Sequence, residues 1–158
     1  MYNQTLFLNR RKFIEKLFYY ELYDFISNIV NNKFKKKINI LDFGCGDGAH
    51  TINILNLLDC KYNYYGFDYS KVAIEMASKY NYYSRFYFVG DVNDVPIKDK
   101  SVDLILDVLS PYNKYEVIRL LKDNGLLIKV SPGKDYLKEL RGCLAISTYE
   151  KQNDIENN

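Results

Sequence analysis

An apolar run that ends in three alternating glycines is the feature that most limits how this chain can fold. Residues 38–48 read I-N-I-L-D-F-G-C-G-D-G. Ile38, Ile40, Leu41 and Phe43 predict a short strand buried on both faces, as in the middle of a parallel sheet. Gly44, Gly46 and Gly48 follow at once, and a helical pattern begins behind them. Glycines at such a junction let the backbone turn sharply and leave its N–H groups open to a ligand.

Which ligand is a question of charge. Gly44-x-Gly46-x-x-Ala49 satisfies the loose dinucleotide pattern G-x-G-x-x-G/A, and a glycine-rich turn with no ligand is a third reading. Asp42 and Asp47 flank the loop, and two carboxylates there would repel a pyrophosphate. A ligand carrying an ammonium and a sulfonium would be attracted, and S-adenosyl-L-methionine (SAM) is such a ligand. L-D-F-G-C-G-D-G resembles the first motif of class I SAM-dependent methyltransferases.

The rest of the chain alternates strand and helix. An amphipathic helical stretch over residues 4–31, broken near Asn9, should lay Ile14, Leu17, Phe18, Leu22, Phe25, Ile26 and Ile29 on the sheet. Strands are predicted at 62–67, 85–89, 102–108 and 126–130, with helices at 51–58, 71–80 and 114–122. Ser70 is the expected N-cap of the second of these helices, Asn124-Gly125 a turn, and a last helix begins near Asp135. This is the pattern of a doubly wound parallel α/β sheet. The expected units are a helical cap (1–37), a SAM-binding domain (38–150) and a polar tail (151–158).

In such sheets ligands sit at the carboxyl ends of the strands. Asp68, Asp91 and Asp107 each end a strand. Asp68 is placed to accept both ribose hydroxyls of an adenosine. Asp91 is placed to accept the adenine amino proton, with the Val92 N–H beside the ring. Cys45 in the loop and Tyr69 after Asp68 complete this wall. Asp107 is the nearest candidate for a base. Ser110-Pro111-Tyr112 resembles the D/N-P-P-Y loop of amino-group methyltransferases, which implies that the Tyr112 ring would stack on an acceptor base. His50, the sole histidine, is read as a structural residue at a helix start.

Bulk properties narrow the classes further. One domain is expected from 158 residues. The three cysteines are widely spaced and suit neither a disulfide framework nor a metal site, which points to a reducing cytoplasm. No window approaches eighteen apolar residues, so neither export nor a membrane span is predicted. Net charge is only +2, yet residues 1–37 carry eight Lys or Arg against three acids and residues 38–107 carry six against ten. Arg10, Arg11, Lys12 and Lys16 form a candidate RNA contact beside the acidic half.

Three further segments sharpen the resemblance. F-L-N-R-R-K-F-I-E-K-L-F-Y-Y-E-L (7–22), F-D-Y-S-K-V-A-I-E-M-A-S-K-Y (67–80) and S-P-G-K-D-Y-L-K-E-L-R (131–141) are similar to segments of bacterial 23S rRNA guanine-N1 methyltransferases. That family implies methyl transfer from SAM to a nucleobase, with S-adenosylhomocysteine (SAH) as product. It also implies that Tyr19, Gly48, Ala49 and Tyr136 contact the cofactor, although Tyr136 stands where the family has histidine. The chain begins after the position of that family's zinc module and has about 27 residues beyond Ser131. Five strands are expected where class I sheets have seven. The edge L-L-I-K-V would then be covered by the last helix, a second subunit or a partner. Small-molecule methylation and a non-catalytic SAM-binding subunit are the rival functions.

Overall fold

A computed structural model describes residues 4–16, 18–80 and 84–135. The elements are α1 (Gln4–Glu15), α2 (Tyr20–Lys33), β1 (Ile38–Phe43), α3 (Ala49–Leu55), β2 (Tyr62–Asp68), α4 (Lys71–Ala77), β3 (Arg85–Val89), β4 (Val102–Val108), α5 (Lys114–Leu120) and β5 (Leu121–Val130). Among the described residues the strands form one sheet in the order β3-β2-β1-β4-β5, every pairing parallel.

The alternation within β1 divides the core. Ile38 and Ile40 join Tyr23, Ile26 and Val30 of α2 and Ile54 of α3 on one face. Leu41 and Phe43 join Phe67, Ile105, and Val117 and Leu120 of α5 on the other. Each fully buried side chain of this kind contributes about 1.5–3 kcal/mol. A sheet buried on both faces is what an unbroken apolar β1 requires.

The helical cap departs from expectation. α1 runs through Asn9 without a break, and the described residues between the two helices, Lys16, Phe18 and Tyr19, are in turn conformation instead. Ile14 and Tyr23 are both buried, but nine residues at about 100° each would put them on opposite sides of one straight helix. The turn resets the phase. It also leaves Phe18 and Phe25, expected on the sheet, in solvent. Leu17 lies outside the described residues.

Smaller differences follow the same logic. α3 ends at Leu55, and α4 passes into a 3₁₀ turn over Ser78–Tyr80. Ser70 caps α4 as expected, its hydroxyl accepting from the Ala73 N–H at 3.3 Å. β5 starts at Leu121 rather than 126: Val102 pairs with Leu121 and Leu104 with Leu126, so Asn124-Gly125 bulges out of the ladder. The helix expected from Asp135 and the polar tail lie outside the described residues. No helix among the described residues is long and apolar enough to cross a membrane.

Candidate functional site

β1 feeds neighbours on both sides, β2 and β4, and the crevice at that switch point holds a cavity. Its volume is about 310 Å³. The loop after β1 forms one wall. Gly44, Gly46 and Gly48 have φ of +63°, +56° and +76°, a conformation that glycine adopts without the Cβ penalty.

Asp68 fastens this loop. Its Oδ2 accepts the Gly46 N–H at 3.0 Å, its Oδ1 accepts the Ser70 N–H at 2.8 Å, and its carbonyl accepts the Gly90 N–H at 3.1 Å. One residue thus ties together the loops after β1, β2 and β3. Each carboxylate oxygen keeps a further acceptor position for a ligand hydroxyl. Asp91, on the loop after β3, lines the same cavity, and its Oδ1 accepts from the backbone and side-chain N–H groups of Asn93. That loop is anchored from below. Glu116 accepts the Val95 N–H at 2.9 Å, and Arg119, paired with Glu116, donates to the Val95 and Ile97 carbonyls. The Arg119 guanidinium holds the Glu116 carboxyl below its ordinary range.

Of the residues expected at a cofactor, Asp42, Gly44, Cys45, Gly46, Asp68, Tyr69, Asp91 and Val92 line this one cavity. Gly48, Ala49 and Tyr19 do not; Gly48 and Ala49 open α3, and Tyr19 packs on the α2 core with its ring 5.0 Å from His50. Tyr136 lies outside the described residues. Asp107 and Tyr112 are off the cavity wall as well. Asp107 is fully buried, with Lys129 Nζ at 2.9 Å from Oδ2 and the Ser110 hydroxyl at 2.7 Å from Oδ1. Lys129 also sits 5.1 Å from the centre of the Tyr112 ring. The strand after it, β5, supplies the cation that pairs with this strand-end carboxylate.

The charges that were to select the ligand are arranged differently from expectation. Asp42 is buried, accepting from the Thr51 hydroxyl and, at 2.8 Å, from the Tyr64 hydroxyl. Burial pushes its carboxyl up to about 7, well above the ordinary carboxylate range. Asp47 is paired with Arg11 of α1: Nε to Oδ2 is 3.0 Å, and a second guanidinium nitrogen reaches the Asp47 carbonyl at 2.9 Å. Asp68 and Asp91 therefore carry the negative character of the cavity. Burial also pushes the Cys45 thiol up, which suits a wall residue rather than a nucleophile.

Sequence reasoning offered the N-terminal helix and its tyrosines as a roof for a small-molecule site, but it did not name the residues that form the roof. Phe7, Arg10 and Ile14 of α1 line the cavity from above, at helical spacing, and Phe7 packs on Ala73 and Met76 of α4. His50, read as structural, lines the cavity too. Its Nδ1 lies 2.6 Å from the Tyr23 hydroxyl, and burial with Arg10 nearby lowers its pKa to about 4. Replacing Arg11 with methionine should strand Asp47. About 2 kcal/mol of stability is expected to go, with weaker SAH binding as α1 loosens; urea titration and calorimetry would measure both.

Residues 34–155 match the family model described as Methyltransferase domain. The chain belongs to this methyltransferase family. It is 37% identical over 153 residues to the Bacillus subtilis (strain 168) protein YxjB, which carries the name of a 23S rRNA (guanine-N(1)-)-methyltransferase; the match covers 90% of this chain and 52% of that one. It is 31% identical over 108 residues to the 23S rRNA (guanine(748)-N(1))-methyltransferase of Streptomyces fradiae, covering 68% of this chain and 38% of that one. The chain thus spans about half the length, or less, of these relatives. A crystal structure described as a SAM-dependent methyltransferase from Methanococcus maripaludis shares the fold. Its TM-score is 0.65 at 23% identity, over 86% of this chain and 68% of that one. The sheet is accordingly the Rossmann-like sheet of class I methyltransferases, as the alternation of elements led us to expect.

Proposed function

We propose that this chain is the SAM-binding catalytic domain of a methyltransferase that modifies N1 of a guanine in 23S ribosomal RNA. The observation that carries the cofactor assignment is the meeting of Asp68, Asp91 and the glycine loop around one cavity. The donor set fits a nucleoside: two carboxylates on adjacent strand ends for ribose hydroxyls and an exocyclic amine, with Val92, Leu109 and Pro111 as apolar wall. When bound, SAM supplies an electrophilic methyl group. The protein's part is then to bind, orient and exclude water. In this reading Asp68 and Asp91 hold the adenosine, Asp42 and the loop amides face the amino-acid end, and α1 closes the top against solvent.

The RNA acceptor rests on the names of the two relatives and on the exposed cations Arg10 and Lys12 of α1 and Lys16 just after it. Arg11, counted on for the same surface, is committed to Asp47. A small-molecule acceptor is the second reading, favoured by the apolar roof of Phe7 and Ile14 over the cavity. A cytoplasmic location, in a reducing medium, belongs to this proposal; Cys45 and Cys60 are free thiols.

Labelled SAM offered with total rRNA and, separately, with a metabolite extract separates the readings. Label in rRNA alone is expected, and label in metabolites alone would sink the RNA assignment. Asp68→Ala should weaken SAH binding by about 1–3 kcal/mol, since it removes the acceptor for ligand hydroxyls and the tether of Gly46. Unchanged affinity in calorimetry would remove Asp68 from the site.

A further inference from the structure

We infer that the outer face of α1, with the turn into α2, is a stacking platform for single-stranded RNA. Phe13 and Phe18 take an unpaired base, and Lys12 and Lys16 take the adjoining phosphates. The inference deepens the RNA reading above and rests on it for the class of partner.

Two large aromatic side chains stand in solvent where the helix phase is reset. Phe13 is 41% and Phe18 61% exposed, and their rings lie 4.6 Å apart, tilted by 43°. Phe18 meets Tyr19 edge-on at 5.0 Å, Tyr19 meets His50 edge-on at 5.0 Å, and His50 lines the cofactor cavity. Ring by ring, the exposed pair is therefore joined to the cavity wall. A strand held on the platform would lie beside the cavity, within reach of an acceptor base turned into it.

Charge decides the occupant. A shallow groove of about 160 Å³ runs beside Phe13, lined by Asn9, Lys12, Phe13 and Lys16. Arg10 and Lys12 on α1 and Lys16 just after it are exposed, against the single acid Glu15. Aromatic faces interleaved with cations are the pattern that binds single strands, because every base has a face to stack and every nucleotide a phosphate. The core of a protein–protein interface is instead depleted in lysine.

The test uses the whole chain and a fluorescein-labelled single-stranded RNA of about twelve nucleotides, read by anisotropy. Phe18→Ala, which removes an exposed ring, should raise Kd about tenfold or more, and Phe18→Tyr should retain binding. Phe25→Ala serves as the control: Phe25 is 64% exposed on α2, away from the turn, and its loss should change nothing. Lys12→Gln with Lys16→Gln should weaken binding and flatten its salt dependence. Equal affinities of wild type and Phe18→Ala, or equal affinity for a duplex of the same length, overturn the platform. SAH calorimetry on each variant keeps the two proposals apart. If SAH fails to bind while the Phe18 contrast persists, the cofactor reading falls and the platform stands. If SAH binds and the contrast is absent, the reverse holds.

Discussion

Gly44→Ala is expected to destabilise the domain by roughly 2–5 kcal/mol, the sum of left-handed backbone strain and overpacking. At φ +63° an L side chain is strained, and a Cβ there would lie 2.6 Å from the Ser110 Cβ and 3.1 Å from its hydroxyl. Ser110 has nowhere inexpensive to go. Its hydroxyl donates to the Phe43 carbonyl or to Asp107, and moving it would strip a partner from a buried carboxylate. Gly46→Ala makes the comparison informative. Its φ is +56°, but the nearest atom to an added Cβ is Phe7 Cε1 at 3.8 Å. Only the strain of about 1–2 kcal/mol should register in unfolding. The new methyl would lie between Gly46 and Phe7, two walls of the cavity, so SAH affinity should suffer more than stability. Urea titrations and calorimetry on both variants check the pattern. Equal stability losses would mean that Ser110 yields and the close approach at Gly44 has no consequence.

The same residues show what a sequence can and cannot disclose. β1 and the glycine loop were legible because both depend on near neighbours: an apolar run, then residues free to adopt positive φ. Asp68 and Asp91 were legible because a parallel sheet sends the ends of its strands to one side. The state of the charges was not legible. Arg11 reaches Asp47 across 36 positions and Lys129 reaches Asp107 across 22, and no local pattern announces such partners. The residues of the roof were hidden for a related reason. Phe7 and Ile14 share one helix face and Tyr23 and Val30 another, and only the end of one helix at Glu15 and the start of the next at Tyr20 reconciles them. Asp42 and Asp47 stand beside the loop, but repulsion of a pyrophosphate needs two free charges there. One is held near neutrality by burial and the other by Arg11, so attraction for a cationic ligand falls to Asp68 and Asp91.

Asp42 and His50 set up a pH profile that a single substitution should unmask. Burial raises the Asp42 carboxyl to about 7 in the folded chain, against about 3.9 unfolded. Between those values the folded state keeps a proton that the unfolded state has released, so stability falls as pH rises. The slope is about 1.4 kcal/mol per pH unit, on the order of 4 kcal/mol in all. His50 acts with the opposite sign. Its pKa is lowered to about 4, against about 6.5 unfolded, so the unfolded state holds the extra proton and stability rises with pH over that span. From about pH 4 to 6.5 the two slopes nearly cancel, and neither is visible in the wild type. Asp42→Asn keeps an oxygen that can accept from Thr51 and Tyr64 but cannot ionise. In urea titrations across that range the variant should gain about 1.4 kcal/mol over wild type for each unit of rising pH. His50→Gln should lose a similar amount, and the double variant should return to the flat profile. Parallel profiles for Asp42→Asn and wild type would mean that Asp42 is ionised throughout. The negative charge beside the glycine loop would then be permanent, rather than one that forms near neutral pH.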